Sequence, residues 1–247
     1  MKIWGITDTG CVRRENQDSF AAFSTEHYTV GVVCDGMGGV GGGRIASAVA
    51  VDSFERTLRS TLRPDLSDQQ LREAAGYCIS AAHQAIRKRQ KESRELENMG
   101  TTLVSAVVQP RMAVVSNVGD SRAYLISHKD GIRQISKDHS LVEDMVERGN
   151  LTADEARHHP HRNLITRALG VEETVEVDGF IVPWEAGDCL LLCSDGLVNT
   201  VTDQEILFEV MHSEGRDTCL SQMLEISRRR GAPDNVTAVL IENTERR

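Results

Sequence analysis

Residues 32–44, VVCDGMGGVGGGR, decide between two kinds of fold. An apolar run ends at Asp35, and from Gly36 onward glycines occupy six of the positions 36–43. They contain a G-x-G-x-x-G pattern, which in dinucleotide-binding folds joins a strand to a helix that binds a pyrophosphate. The alternatives are a loop whose backbone approaches a metal ion held by Asp35, or a plain flexible turn. The charge of Asp35 would repel a pyrophosphate, which counts against the dinucleotide hypothesis.

The order of the predicted elements also counts against a dinucleotide fold. Strand patterns lie in residues 2–8, 19–34, 101–136, 175–193 and the closing run NVTAVLIEN. Apolar residues at helical spacing lie in residues 42–60, 67–93 and 203–230, with Ser67 as an N-cap. Strands are therefore grouped and helices are paired, which favours antiparallel sheets with helices packed outside. We expect one α+β domain over residues 1–247, with an insertion at about 141–168.

Composition limits the functions that the chain can have. The 247 residues carry a net charge of -9, with a sequence pI of about 5.4. An acidic chain does not suit sequence-independent binding to nucleic acid, so no nucleic-acid partner is expected. No apolar run is long enough for a signal peptide or a membrane span, which predicts a cytoplasmic protein without membrane insertion. The six cysteines are scattered, and we expect reduced thiols.

Four aspartates lie at the edges of apolar runs. They are Asp35, Asp120, Asp195 and Asp234. Each could be an ordinary turn residue. Together they could instead bring several carboxylates to one place, where they repel one another unless they are protonated or bridged by cations. Oxygen ligands suit Mg²⁺ or Mn²⁺, and two such ions roughly 3.5–4 Å apart commonly hydrolyse phosphate esters.

An ordered set of short motifs supports the metal hypothesis. RRENQD, DGMGG, GTT, VGDSRAYL, KDHS, SDGL and DNVTAVLI follow one another along the chain. Their order resembles that of the protein phosphatase 2C family of metal-dependent Ser/Thr protein phosphatases, in its compact bacterial form. The resemblance extends from about Ile3 to Ile241. It implies a four-layer αββα sandwich, in which two antiparallel sheets are flanked by helix pairs and the metal centre lies at one end of the sheets.

The resemblance also implies a set of metal ligands. Asp35 would bridge two Mn²⁺ or Mg²⁺ ions, and the Gly36 carbonyl would bind one of them. Asp195 and Asp234 would complete the ligands of the second ion. Asp120, with Asp195, resembles a third and weaker metal site found in bacterial members.

Other residues are implied in substrate binding or catalysis. Arg13 matches the arginine that binds the substrate phosphate, and Asp18 matches an acid that orients water. His139, in KDHS, is either a general acid or, as we favour, a structural residue. Val40 and Arg44 depart from the pattern that many bacterial members show after the metal-binding Asp-Gly, although neither position is a metal ligand.

The function expected from these residues is hydrolysis of phosphoserine and phosphothreonine by in-line attack of metal-activated water. The expected partners are phosphorylated proteins, including a bacterial-type Ser/Thr kinase that the enzyme opposes, and the chain is expected to be a monomer. Two alternatives remain, a regulator that binds phosphoproteins without catalysis and a nucleotide-binding oxidoreductase. The HHPH run at 158–161 could bind metal, but we favour a solvated segment.

Overall fold

Two antiparallel β-sheets lie face to face in this computed structural model, which describes residues 1–244 except the side chains of Val40, Ala153 and Arg157. Element labels follow chain order. The first sheet has the spatial order β1 (Lys2–Asp8), β11 (Val236–Glu242), β10 (Cys189–Cys193), β7 (Arg122–Ser127) and β8 (Gly131–Gln134). The second has the order β2 (Asp18–Ser24), β3 (Thr29–Met37), β5 (Leu103–Gln109), β6 (Met112–Val118) and β9 (Asp178–Pro183), and the short β4 (Gly100–Thr101) pairs with β3.

Helices cover the outer face of each sheet. The helices of the described residues are α1 (Gly39–Thr61), α2 (Asp68–Gln90), α3 (Leu141–Glu147), α4 (Ala153–His158), α5 (Asp195–Val198), α6 (Asp203–His212) and α7 (Arg216–Arg229), of which α3 and α4 pack against each other in the segment between β8 and β9. The long helices α1 and α2 pack against the second sheet, whereas α5, α6 and α7 pack against the first. The predicted N-cap of α2 is confirmed, because Ser67 Oγ accepts a hydrogen bond from Gln70 N in a capping box.

Three apolar layers hold the sandwich together. The central layer, between the sheets, includes Val33, Val104, Leu190, Leu192, Val239 and Ile241, all fully buried. The two outer layers join each sheet to its helices. Burying one such side chain stabilises the fold by about 1.5–3 kcal/mol, so the alternating apolar residues of the strands supply most of the driving force. The expected α+β sandwich of four αββα layers is confirmed.

Antiparallel register brings several loops to one end of the sandwich. In the second sheet, Asp18 at the start of β2 faces Asp35 near the end of β3. In the first sheet, Cys193 at the end of β10 faces both the start of β7 and the start of β11. Ser194 Oγ then donates to Asp18 Oδ2 at 2.8 Å, which joins the two sheets at this end.

The glycine run after Asp35 allows a strand and a helix to touch. A Cβ built on Gly36 would lie 2.1 Å from the Gly43 carbonyl oxygen, and one on Gly43 would lie 2.6 Å from the Gly36 oxygen. Gly38 has φ +116°, a conformation that side chains rarely adopt. Gly41 N donates to Glu15 Oε1 at 3.3 Å, so an amide at the start of α1 faces a carboxylate of the chain itself.

The direction of the strands excludes the dinucleotide-binding alternative. All nine strand pairings within residues 1–244 are antiparallel, whereas a dinucleotide fold requires a parallel sheet. Among helices in the described residues, none is both long and apolar enough to cross a membrane.

The contact between Gly36 and Gly43 generates a stability prediction. We expect Gly43→Ala to lower the free energy of unfolding by about 1–3 kcal/mol, because the added methyl group overpacks a backbone contact. Gly76→Ala is the matched control, since Gly76 also lies inside a long helix and its Cβ would meet no atom within 4 Å in the described chain. It should raise the free energy of unfolding by about 0.5–1 kcal/mol. Urea unfolding measures both, and equal effects would contradict the contact.

Candidate active site

The end of the sandwich where the sheets meet contains the aspartates that the sequence analysis singled out. Asp18 and Asp35 lie on neighbouring strands of the second sheet. Asp195 is the first residue of α5 and is separated from β10 by Ser194 alone, and Asp234 lies just before β11. Asp120 lies in the turn between β6 and β7, which connects the two sheets. These five aspartates are therefore brought together, and they are called the carboxylate cluster below.

Backbone contacts hold Asp35 in place. Its N–H donates to Thr102 Oγ1 at 2.9 Å, and its carbonyl oxygen accepts from Thr102 N at 2.9 Å and from Thr101 Oγ1 at 2.8 Å. Burial raises the pKa of the Asp35 carboxyl well above its usual range, and the charges of Asp18 and Asp195 raise it further. The backbone is thus anchored through GTT, while the side chain lies among like charges.

Asp18 is the most buried of these carboxylates, with 7% of its surface exposed. Its Oδ2 accepts a hydrogen bond from Ser194 Oγ, and Ser194 Oγ in turn accepts one from Thr237 N at 3.0 Å. Burial raises the pKa of Asp18 to about 6, against hydrogen bonds that lower it, and the charges of Asp195 and Asp234 also raise it. The Asp18 carboxyl is therefore oriented by the hydrogen bond from Ser194 to its Oδ2.

Polar neighbours hold the other two predicted ligands. Asn199 Nδ2 donates to Asp195 Oδ2 at 3.0 Å, and Arg13 Nη2 donates to Asp234 Oδ2 at 2.7 Å. Burial raises the pKa of Asp195, and the charge of Asp234 adds to the effect. The Arg13 side chain is 54% exposed, so it lies at the rim of the carboxylate cluster and can reach solvent.

The cluster has features that suit a hard cation. Oδ1 of Asp18 and Oδ1 of Asp195 are buried, and neither has a hydrogen-bond partner within residues 1–244. A buried carboxylate oxygen without a partner is costly, and a divalent cation or water would satisfy it. In the described part of the chain, no three His, Cys, Asp or Glu side chains form a complete metal-binding group. Backbone oxygens and water would have to complete the shell, as Mg²⁺ commonly requires.

Gly36 and Asp120 occupy different parts of this end of the sandwich. Gly36 follows Asp35 in β3, its N–H donates to Gln17 O at 3.2 Å, and it pairs with Thr101 of β4. Burial raises the pKa of Asp120 to about 8, and the charge of Asp195 raises it further. The influence of Asp195 on Asp120 brings the turn between the sheets into the same electrostatic cluster.

His139 is held by several hydrogen bonds. Its Nδ1 accepts from Gly119 N at 3.1 Å, and its Nε2 lies 3.2 Å from Asp178 Oδ2. Both ring nitrogens are therefore engaged within the fold, which favours the structural interpretation over a general acid.

The predicted histidine run has local contacts as well. His158 Nδ1 lies 3.0 Å from Asp154 O, and His161 N donates to His159 Nδ1 at 3.2 Å. Arg44, one of the departures from the family pattern, is exposed, and its Nε lies 4.0 Å from Glu15 Oε2.

Two polar residues of the site were missed by sequence reasoning. Ser194 donates to Asp18, and Asn235 joins the N-terminal loop to β11. Asn235 Oδ1 accepts from Gln17 N at 2.8 Å, while Asn235 Nδ2 donates to the carbonyl oxygens of Thr9 and Glu15. Each is the immediate neighbour of a predicted ligand in SDGL or DNVTAVLI, and that adjacency was the available signal.

An αββα sandwich that gathers carboxylates and an arginine at one end has the groups that a metal-dependent phosphatase needs, oxygen ligands for cations and a guanidinium for phosphate. The chain matches the protein phosphatase 2C family over residues 12–240. It is 36% identical over 241 residues to the serine/threonine phosphatase stp of Listeria innocua, covering 96% of this chain and 93% of that protein. The chain therefore belongs to the protein phosphatase 2C family. The family and enzyme class expected from the motifs, a metal-dependent Ser/Thr protein phosphatase, are confirmed.

Solved structures agree with this assignment. The crystal structure of the serine/threonine phosphatase Stp1 from Staphylococcus aureus has a TM-score of 0.90 and 33% identity, covering 98% of this chain and 94% of that one. The catalytic domain of the serine threonine protein phosphatase PstP, in complex with two manganese ions, has a TM-score of 0.81 and 31% identity. That comparison covers 98% of this chain and 97% of the PstP chain.

The raised pKa values predict a pH-dependent stability in EDTA. A carboxyl whose pKa is higher in the folded state makes the folded protein bind more protons, so the free energy of unfolding falls as pH rises. For Asp120 the window extends from about pH 4 to about pH 8. We expect Asp120→Asn to be more stable than the wild type at pH 8, by at least about 1 kcal/mol, and equal to it near pH 4.

Urea unfolding at each pH, with EDTA present, measures this difference. Asp130→Asn, at an exposed turn, is the control for removing one negative charge. The idea fails if Asp120→Asn is no more stable at pH 8 than Asp130→Asn.

Proposed function

We propose that this chain removes phosphate from phosphoserine and phosphothreonine residues of proteins by hydrolysis at the carboxylate cluster. The observation that carries the proposal is the gathering of Asp18, Asp35, Asp195 and Asp234, whose charges act on one another while two buried carboxylate oxygens lack partners within residues 1–244. Divalent cations would offset the repulsion among these carboxylates and bind the oxygens that lack partners. The two manganese ions in the PstP relative support Mn²⁺ as the cofactor, and Mg²⁺ has the same oxygen preference.

The proposed ligands are all oxygen donors. Asp35 and the Gly36 carbonyl would hold one ion, and Asp35, Asp195 and Asp234 the second. Asp120, with Asp195, would hold a third and weaker ion. When bound, such ions lower the pKa of water to near neutrality and offset the charge of a phosphate dianion.

Arg13 is the proposed phosphate-binding residue. Its planar guanidinium presents several N–H donors, a geometry that matches two phosphate oxygens at once. It already donates to Asp234 at the edge of the cluster, and more than half of its side chain is exposed. A phosphate entering from solvent would therefore meet Arg13 before it reaches the buried carboxylates.

Asp18 is the proposed residue for orienting water. The hydroxyl group of Ser194 accepts a hydrogen bond from the Thr237 N–H and donates its own hydrogen to Asp18 Oδ2. That bond leaves Oδ1 of Asp18 able to accept a hydrogen from the attacking water. The contact would hold the water in line with the phosphorus and the leaving oxygen, so the chain needs no covalent nucleophile.

We further propose a single catalytic domain, in which residues 141–168 form a flap-like insertion that acts on substrate choice. The insertion is pinned near its ends by a bridge between Ser140 and Ile165, and Leu164 is exposed beside that bridge. The proposed partners are phosphoproteins, including a Ser/Thr kinase, and the proposed state is a cytoplasmic monomer. The free thiols of all six cysteines fit a reducing compartment.

Metal removal tests the proposed function. We expect the purified protein to hydrolyse p-nitrophenyl phosphate and phosphoserine or phosphothreonine peptides with Mn²⁺ or Mg²⁺, and to lose activity in EDTA. Readdition of Mn²⁺ should restore it, because cations must balance the carboxylates. Asp35→Asn is the control for a contaminating phosphatase and should be inactive under every condition. Full activity in a verified metal-free preparation would contradict the proposal, and inactivity with every metal would favour a non-catalytic binding protein.

Substitution of Arg13 tests the phosphate-binding role. We expect Arg13→Ala to raise KM for a phosphopeptide, with a smaller fall in kcat, because the guanidinium binds phosphate in the ground state and the transition state. A charged hydrogen bond contributes roughly 1.5–3 kcal/mol, so kcat/KM should fall about ten- to a hundredfold.

Arg14→Ala is the matched control, since Arg14 is the adjacent arginine and is also exposed. It should have little effect on kcat/KM. Mn²⁺ binding to Arg13→Ala should not weaken, because Arg13 is not a proposed ligand and its loss frees Asp234 Oδ2 and removes a positive charge near the proposed ions. Equal small effects of the two substitutions would make Arg13 a surface residue only.

A further inference from the structure

His139 is joined twice to the turn that carries Asp120. Its side chain is 3% exposed. The His139 N–H donates to Gly119 O at 2.9 Å, and the Gly119 N–H donates to His139 Nδ1 at 3.1 Å. Because Nδ1 accepts a hydrogen bond, the proton of the neutral ring is on Nε2. The ring therefore satisfies the buried amide that immediately precedes Asp120.

A second pair of residues orients the His139 ring from its other side. Nε2 lies 3.2 Å from Asp178 Oδ2, at the start of β9, so the Nε2–H donates to that carboxylate. Arg167 Nη1 donates to the other oxygen, Asp178 Oδ1, at 3.1 Å, and the same Nη1 lies 3.3 Å from His139 Nε2. Because Nε2 carries the ring proton, the Arg167 N–H is directed to the carboxylate and not to the ring. Burial lowers the pKa of His139, which agrees with a neutral ring in this environment. The tautomer that can accept from Gly119 is thus selected by Asp178.

The turn is also held by a residue that holds Asp35. Ser121 Oγ lies 2.7 Å from Thr102 Oγ1, and Thr102 Oγ1 accepts from Asp35 N. Gly119 has φ +108°, and a Cβ at this position would lie 2.6 Å from the Thr102 side chain. The turn is therefore packed against Thr102 and hydrogen-bonded to His139, and Thr102 leaves no room for a side chain at Gly119. The freedom of the turn to move away depends on the bonds to His139.

We propose that His139 is a positioning residue for Asp120, whose ring, oriented by Asp178 and Arg167, holds the Gly119–Asp120 turn so that the Asp120 carboxylate faces Asp195. The role of Asp120 as a ligand rests on the proposed function, whereas the hold of His139 on the turn does not. His139 would then neither donate a proton to the leaving group nor bind a metal ion. It would act on the reaction through the position of Asp120.

Two substitutions of His139 test the roles of its two ring nitrogens separately. In His139→Asn, the amide oxygen can lie near the place of Nδ1 and still accept from Gly119 N. In His139→Gln, the longer amide can reach toward Asp178 but leaves the Gly119 amide without its acceptor. We expect His139→Gln to exchange the Gly119 amide hydrogen at least about tenfold faster in EDTA, since a buried donor loses its partner. The Mn²⁺ concentration for half-maximal activity should also rise about tenfold, while KM for a phosphopeptide stays within about twofold. His139→Asn should retain most of the wild-type behaviour in both measurements.

The role of Asp178 provides a further check. Asp178→Ala should weaken Mn²⁺ activation less than His139→Gln does, because it frees the ring but leaves Nδ1 in place. The double variant His139→Gln/Asp178→Ala should have the same Mn²⁺ activation as His139→Gln alone, because both substitutions act through the bond between His139 Nδ1 and Gly119 N.

Different results separate the two levels of the proposal. If Asp120→Ala leaves kcat at saturating Mn²⁺ unchanged, the proposed third-ion site is wrong. The hydrogen exchange of the Gly119 amide in the His139 variants is then the only test of whether His139 holds the turn. If both His139 variants lower kcat equally with Mn²⁺ dependence and Gly119 exchange unaltered, His139 acts in proton transfer and the positioning role is overturned. Wild-type exchange in His139→Gln likewise overturns it.

Discussion

Mutual repulsion among carboxylates at one end of the two sheets is the constraint on which the rest of the structure depends. Asp18 is buried, and Asp35, Asp120 and Asp195 are partly buried. Burial raises the pKa of each of the four carboxyls, and the charge of at least one other aspartate raises it further. Bringing such groups together opposes folding at neutral pH. Three apolar layers must offset that cost, because the carboxylates do not stabilise one another. A divalent cation reverses the sign of the same interaction, so metal binding would both stabilise this end of the fold and prepare it for phosphate.

The scaffold around the cluster is built to resist this repulsion. Hydrogen bonds from neighbouring residues hold several of these acids and the segments that carry them. Thr102 anchors Asp35 in the second sheet, Ser194 crosses between the sheets to reach Asp18, and Asn235 ties the N-terminal loop to β11. None of these three residues needs to touch substrate for the site to exist. Their effect is to keep carboxylates on rigid strands, where the positions of the oxygens are set before any ligand arrives.

The contacts of His139 have a broader implication for how this fold organises chemistry. A histidine beside an acidic cluster is a natural candidate for proton transfer, yet both of its nitrogens are engaged by Gly119 and Asp178. In the proposed function, the attacking water is instead activated by the cations and oriented by the Asp18 carboxylate. Arg167, which contacts Asp178, lies at the end of the 141–168 segment. The same side-chain group thus links the turn of Asp120 to the base of the segment that is proposed to face substrate.

The sequence by itself determined the class of fold and most of the proposed site residues. Period-two apolar runs and helical spacing are local properties, and they located the grouped strands and paired helices. Asp-Gly pairs at the ends of those runs, in a family-like order, singled out Asp35 and Asp195 before any geometry was known. Only the tertiary structure decided how the glycine run is used, because the contact of Gly36 with Gly43 depends on a helix folding back over its strand. Ser194 and His139 acquired their roles in the same way. Their partners, Asp18 and Gly119, are distant in sequence, and hydrogen bonds between such residues follow from the packing of two sheets and leave no periodic signal in the chain.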